Sequence, residues 1–210
     1  MRYSPSEFVK NCWSLLATKL FFRPARLIRR PVYIRGRKGM EFGTGFTTGY
    51  RCRFEMFNPD RVTLHIGENC KIGDNVHIVA SENVTIGNDC LLASHIFISD
   101  TNHGDGTEAP MTPPDQRPLN SAPVSIGSCV WIGEGAAVLP GAKIGDGCII
   151  GAHAVVKGEI PAYTVAVGAP ARVAKKYNFE KNVWEKAVGL AWNKLGASIY
   201  EKDRRDYSDV

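Results

Sequence analysis

The sequence predicts an all-β chain: a parallel β-helix of hexapeptide repeats, with α-helical appendages at both ends and one long protruding loop. Three observations carry this. Aliphatic residues recur at every sixth position: Ile126, Ile132, Val138, Ile144, Ile150 and Val156. Glycine follows four of them, and a mostly small residue stands four further on: Val130, Ala136, Ala142, Cys148, Ala154 and Ile160. A proline-rich stretch then interrupts an otherwise regular spacing.

A period of six is neither the 3.6 of a helix nor the 2 of a lone strand. It suits a coil with flat faces joined by tight corners. One aliphatic side chain points inward per face, a small residue fills the corner, and glycine takes backbone conformations that bulkier residues resist. Three faces give a turn of about 18 residues, and turns stack into a solenoid. The same register runs upstream through Ile66-Gly67, Ile72-Gly73 and Ile86-Gly87. Between 34 and 62 only fragments such as Phe42-Gly43-Thr44-Gly45-Phe46 suggest a first turn.

Three organisational units follow. Residues 1–31 form a basic helical arm. Ser4-Pro5-Ser6-Glu7 reads as a capping box with proline at the first helical position. Phe8, Val9, Cys12, Trp13, Leu15, Leu16 and Leu20 then make a broad apolar face, followed by Arg23, Arg26, Arg29 and Arg30. This helix either packs on the end of the coil or on a neighbouring chain, or it anchors at an anionic membrane surface. Residues 32–176 form the β-helix. Leu64-His65-Ile66, Val84-Thr85-Ile86 and Val124-Ser125-Ile126 mark one point on successive turns. The second gap exceeds one turn by about 22 residues, so residues from about 100 to 123, with five prolines, leave the coil as a loop. Residues 177–210 are expected to hold a second helix, patterned on Trp184, Val188, Ala191, Leu195 and Ile199, and then a charged tail.

Charge narrows the classes. Residues 1–38 hold ten Lys and Arg against one acid, a local +9, and the remainder is mildly acidic. A nucleic-acid reader would carry its charge on the folded body, so no nucleic-acid partner is expected. The N-terminus lacks the order of a secretory signal and no run is apolar enough to span a bilayer. The expected compartment is the cytoplasm, including the inner face of the membrane. The six cysteines are scattered, without the spacing of a zinc site or a disulfide framework, and most should be buried thiols.

Histidine, whose ordinary pKa lies near neutrality, is the natural general base among the side chains. His65 should face outward on a strand. His77 can point into a cleft. His95 lies within a turn segment and His153 at a corner. His103 sits at the mouth of the long loop, beside Asp100, Asn102 and Gly104, and loops on rigid scaffolds favour chemistry. Cys70, Cys90 and Cys148 occupy inward corners, where a thiol resists ionisation, so a cysteine nucleophile is not expected.

The hexads, the sequence Ser99-Asp100-Thr101-Asn102-His103-Gly104, the segment Val130-Trp131-Ile132-Gly133 and the closing Val167-Gly168-Ala169-Pro170-Ala171-Arg172-Val173 together resemble the left-handed β-helix acyltransferases. They are most similar to the galactoside/maltose acetyltransferase branch and its relatives that O-acetylate bacterial polysaccharides. The left hand of the coil comes from that resemblance alone. It implies an acetyl-CoA-dependent O-acetyltransferase acting on a sugar hydroxyl of a surface polysaccharide or its precursor. It further implies His103 as catalytic base, no required metal and a homotrimer with a glycan or glycolipid acceptor.

The resemblance puts Trp131, Ala152, Lys157, Arg172 and Lys175 at or near positions that contact CoA. Backbone amides at Gly133, Gly151 and Ala152 are expected to bond to it, and Arg172 with Lys175 or Lys176 to meet its phosphates. Asp100 or a backbone carbonyl is expected to orient the His103 ring. On the acceptor side the pattern departs from the galactoside enzyme: Gly73 and Ser81 stand where that enzyme has an asparagine and an aspartate. Asn75 and His77, with Asp100 and Asn102, are the remaining polar candidates for substrate binding. Acetylation of a small sugar or an antibiotic, a non-catalytic scaffold and a metal-binding β-helix trimer are the alternatives.

Overall fold

The computed structural model describes residues 4–104 and 106–187. They form a parallel solenoid of about seven turns with three faces. Face one runs through Leu27–Ile28, Thr47–Thr48, Lys71–Ile72, Leu91–Leu92, Trp131–Ile132, Ile149–Ile150 and Thr164–Val167. Face two runs from Tyr33–Arg35 through Arg53–Met56, His77–Ala80 and Phe97–Ser99 to Val155–Val156. Face three runs from Met40–Phe42 through Leu64–Ile66, Val84–Ile86 and Val124–Ile126 to Glu159–Ile160.

The expected register is met. Leu64 stacks on Val84 and Val84 on Val124. Inward columns of aliphatic residues result, such as Ile72, Leu92, Ile132 and Ile150 on face one, all buried. Each buried Ile or Leu contributes about 1.5–3 kcal/mol. Corners are closed by small residues and thiols. Cys52, Cys70, Cys90 and Cys148 are buried, while Cys12 and Cys129 are exposed. The buried thiols donate to carbonyls of the next coil, Cys70 to Gly87 at 3.0 Å and Cys90 to Gly127 at 3.1 Å.

The solenoid begins earlier than expected, at Leu27 and not near residue 32. Its first turns break the hexad rule because large side chains fill the interior. Phe46 and Phe54 are fully buried, and Phe42 stacks on Phe46 with ring centroids 5.2 Å apart.

The N-terminal helix packs on the coil, one of the expected arrangements, whereas the C-terminal segment departs from expectation. At the N-terminus the capping box forms as predicted, and helix α1 spans Pro5–Phe21. Its buried residues, however, are the small and polar Ser14, Ala17 and Thr18. Thr18 Oγ1 accepts from the Ile28 amide at 2.9 Å and Ser14 Oγ from the Arg30 amide at 3.2 Å. The helix therefore caps the coil with its hydroxyl face, satisfying backbone donors at the solenoid's open end, and its apolar side chains point away. At the C-terminus Trp184 lies not in a helix but in a strand, Val183–Lys186. That strand and Arg172–Asn178 fold back antiparallel onto face one. Tyr177 packs edge-on against both Trp184 and Phe179. The rest of the expected helix lies outside the described residues.

Candidate active site

The long excursion leaves the corner between faces two and three, directly after Ser99. Its base is an antiparallel hairpin of Thr101–His103 against Leu119–Ser121, with His103 opposite Leu119. Gly104 turns the chain at φ +81° and its amide donates to the Pro118 carbonyl at 2.8 Å. His103 is exposed at the end of this short ribbon. Among the described residues no hydrogen bond holds its ring.

Asp100 has a different role from both expectations placed on it. Its side chain is fully buried. Its carboxylate accepts the amides of Ser81 at 2.8 Å, Glu82 at 2.7 Å and Asn83 at 2.7 Å. An anion holding three backbone donors from the coil below is spent on those bonds. None of these bonds reaches His103; they fasten the root of the hairpin to the preceding turn. Asn102 lies exposed on the hairpin beside His103, opposite Asn120.

Asn75 and His77 do not join this cluster. They lie at the entry of face two, whereas the hairpin leaves from its exit. Asn75 takes a left-handed turn at φ 55°, a conformation asparagine tolerates better than most residues. His95 and His153 occupy the same kind of corner, at φ 60° and 55°. His77 is held by a carboxylate that the sequence did not point to. Its Nε2 lies 2.9 Å from Glu55 Oε2, the same oxygen that accepts from Arg53 Nε at 2.7 Å. Glu55 is nearly buried. The Arg53 hydrogen bond, with smaller help from His77, outweighs burial and lowers its pKa below the usual carboxylate value. Tyr33 and Phe97 flank the pair, Arg53 over the first ring and His77 edge-on to the second. The period-two alternation of a four-residue strand, Arg53–Met56, would have put Arg53 and Glu55 on one side; the cross-coil register needed to pair them with His77 was not legible.

The expected CoA residues separate into two groups. Trp131 stands on the outer side of face one, half-exposed, stacked in register with Ile149 and then Val165. Lys175 is the next residue in this row, paired with Val165. The row thus runs from an indole over two aliphatic side chains to a cation across three strand spacings, about 14 Å. Arg172 stands exposed at the start of the same strand, and its guanidinium donates to the Ala171 carbonyl. Lys157 lies elsewhere, exposed at the corner between faces two and three, the same edge from which the His103 hairpin emerges. Ala152 is exposed at the corner between faces one and two.

The Gly133 and Gly151 amides are not available to a ligand. They donate to the Ile150 carbonyl at 2.7 Å and the Ala166 carbonyl at 2.8 Å. Gly133 is required by packing instead, since a Cβ there would lie 2.6 Å from the Ala152 backbone nitrogen.

Cys70 and Cys90 are poorly placed as nucleophiles. Cys90 is driven upward in pKa by its contact with the Cys70 sulfur and then by burial. Cys70 is lowered by the same contact, but it has no exposed surface through which an acyl donor could reach it. Among the described residues no group of three or more His, Cys, Asp or Glu is placed to hold a metal ion. No helix among them is long and apolar enough to cross a membrane.

Residues 123–158 match the model of the bacterial transferase hexapeptide (six repeats). The chain is 44% identical over 191 residues, 89% of its length and 96% of the relative's, to WbbJ of Escherichia coli (strain K12), named for O-acetyl transfer in lipopolysaccharide biosynthesis. It is 37% identical over 115 residues to the galactoside O-acetyltransferase of the same organism, covering 55% of each chain. Two solved structures share the fold. One is a galactoside acetyltransferase in complex with coenzyme A, at TM-score 0.54 and 22% identity over 90% of both chains. The other is AntD, an N-acyltransferase from Bacillus cereus in complex with dTDP and coenzyme A, at TM-score 0.63 and 17% identity over 97% of both.

Proposed function

The chain belongs to the hexapeptide-repeat transferase family and is an acyltransferase, and from that premise we propose that it moves acetyl from acetyl-CoA to a hydroxyl of a bacterial surface polysaccharide or its precursor. The observation that carries this reading is the placement of His103. An exposed imidazole is raised on a hairpin whose root is clamped by a buried carboxylate, with no competing partner among the described residues. A base on a rigid mount can meet an incoming hydroxyl with little reorganisation. His103 takes the sugar hydroxyl proton as the oxygen bonds to the thioester carbonyl carbon. The imidazolium then gives that proton to the departing sulfur as the C–S bond breaks. No covalent acyl-enzyme is formed.

The row Trp131, Ile149, Val165 and Lys175 suits a long thin thioester carrier with an apolar arm and a phosphorylated end. Arg172 and Lys175 would meet its phosphates, and the Ala152 backbone and Lys157 complete the set. Lys157 and the hairpin share one edge of the solenoid, whereas Trp131 and Lys175 lie on a different face. Packing that edge of one subunit against face one of the next would unite them. This geometry favours a homotrimer with three sites at subunit boundaries. Asn102 at one end of face two, and Asn75 with the Glu55-held His77 at the other, are the acceptor-side candidates, a span that suits an extended glycan. The reaction takes place in the cytoplasm, where acetyl-CoA is made.

The test is incubation with acetyl-CoA and a panel of polysaccharide precursors, simple galactosides and aminoglycosides, following free thiol release. Thiol release driven by a glycan and coupled to an O-acetyl product supports the reading. Release only with an amine acceptor, or with none, refutes it.

A further inference from the structure

Helix α1 turns its chemistry inside out. The side packed on the coil is Asn11, Ser14 and Thr18, each hydrogen-bonded to the first turns of the solenoid. The opposite side is one stripe, Val9, Trp13, Leu16 and Leu20, spaced four, three and four residues apart. All are more than half exposed, Trp13 at 64% and Leu20 at 66%. The apolar surface continues sideways into a shallow groove of ≈ 230 Å³ lined by Phe8, Asn11, Cys12, Leu15, Leu27 and Arg29. A helix held by its polar face and showing its apolar face to the outside is built to be covered by something else.

Charge identifies the cover. Lys10 and Lys19 are exposed on the helix beside the stripe, and Arg23 and Arg26, exposed just after it, border grooves along the coil's first turns. No ion pair among the described residues engages any cation of the arm, and its one acid, Glu7, is used in the capping box. An apolar stripe rimmed by unpaired cations complements an apolar medium with an anionic boundary. Long cationic side chains reach outward to such a boundary while their stems stay in apolar surroundings.

We propose that the outer face of α1, with Lys10, Lys19, Arg23 and Arg26, docks on a bilayer containing anionic lipid. Trp13, Leu16 and Leu20 enter the headgroup–acyl boundary and the cations pair with lipid phosphates. The solenoid, fixed to the helix through Ser14 and Thr18, is thereby held at the membrane by its N-terminal end. The inference does not depend on which hydroxyl the enzyme acetylates.

The full chain is sedimented with vesicles of phosphatidylcholine alone or mixed with phosphatidylglycerol. Binding is expected to the mixed vesicles and much less to the neutral ones, and to fall as salt is added. Each cation near such a surface contributes enough that Arg23→Ser with Arg26→Ser should weaken partitioning about 30-fold. Leu16→Glu with Leu20→Glu should abolish it. Both variants alter exposed side chains and should keep the parent's melting temperature, oligomeric state and turnover on a soluble acceptor. Equal binding to both vesicle types, or binding to neither, overturns the proposal. A Leu16/Leu20 variant that loses its oligomeric state also overturns it, and assigns the stripe to a second copy of the chain.

Discussion

Replacing Asp100 with asparagine removes one acceptor from a buried three-donor site. Oδ1 holds the Ser81 amide, and Oδ2 holds the amides of Glu82 and Asn83. The best asparagine rotamer keeps its oxygen at the Oδ2 position and aims its NH2 at the Ser81 N–H. One buried donor is then unsatisfied, at about 1–3 kcal/mol. The other two bonds become neutral and lose roughly half their strength. The sum is a destabilisation of about 2–4 kcal/mol for Asp100→Asn and about 3–5 kcal/mol for Asp100→Ala. Equilibrium urea unfolding at one fixed protein concentration reads this directly. Loosening the hairpin root should also lower kcat through His103 while the acceptor KM changes little. An asparagine variant within about 0.5 kcal/mol of the parent, with a raised acceptor KM, would refute the clamp and return Asp100 to the substrate side.

Glu55 is held ionised by Arg53 and His77, so its folded pKa lies below its ordinary value of 4.5. A depressed carboxylate contributes stability that is present above the unfolded pKa and is lost as pH falls through the folded one. Glu55→Gln should therefore flatten the loss of stability below about pH 4.5, measured by unfolding across pH 3–6. Cys70→Ala and Cys90→Ala should each cost about 1–2 kcal/mol from the small void left in a closed corner, with turnover unchanged once the protein is folded. Trp131→Ala should raise the acetyl-CoA KM by about tenfold, the loss of one large apolar contact, with kcat nearly constant in steady-state kinetics.

The parts of the fold legible in the sequence were those that a strict stack enforces. From Val124 to Val156 every turn must present an aliphatic at the same angle and a small residue at the corner, so the period survives in one dimension. Turns one and two escape the rule because Phe42, Phe46 and Phe54 fill the interior by mutual packing, which has no fixed spacing. The capping box of α1 was readable because it is local. The direction of its apolar face was left open, because the need of the coil's exposed end for hydroxyl partners to its backbone donors has no signature in the helix sequence. Trp184 shows the complementary failure. Its three- and four-residue steps suggested a helix, but pairing with the last coil edge through residues Arg172–Asn178 won.

The site divides along the same line. The exposed place of His103 at the loop mouth was legible, whereas its role as base remains a proposal. The bonds of Asp100 were not legible, because its three backbone donors lie 17 to 19 residues away in sequence. Gly133 and Gly151 looked like ligand-facing corners, yet their amides complete the ladder to the next coil.

The central claim is direct transfer with His103 as base, and steady-state kinetics of His103→Ala on the true acceptor test it most directly. Loss of a general base costs about 10²–10⁴-fold. A fall in kcat of that order is expected, with acetyl-CoA affinity and melting temperature unchanged and no acetylated cysteine detected by mass spectrometry. Near-normal turnover in that variant, or a trapped acetyl-cysteine, would contradict it.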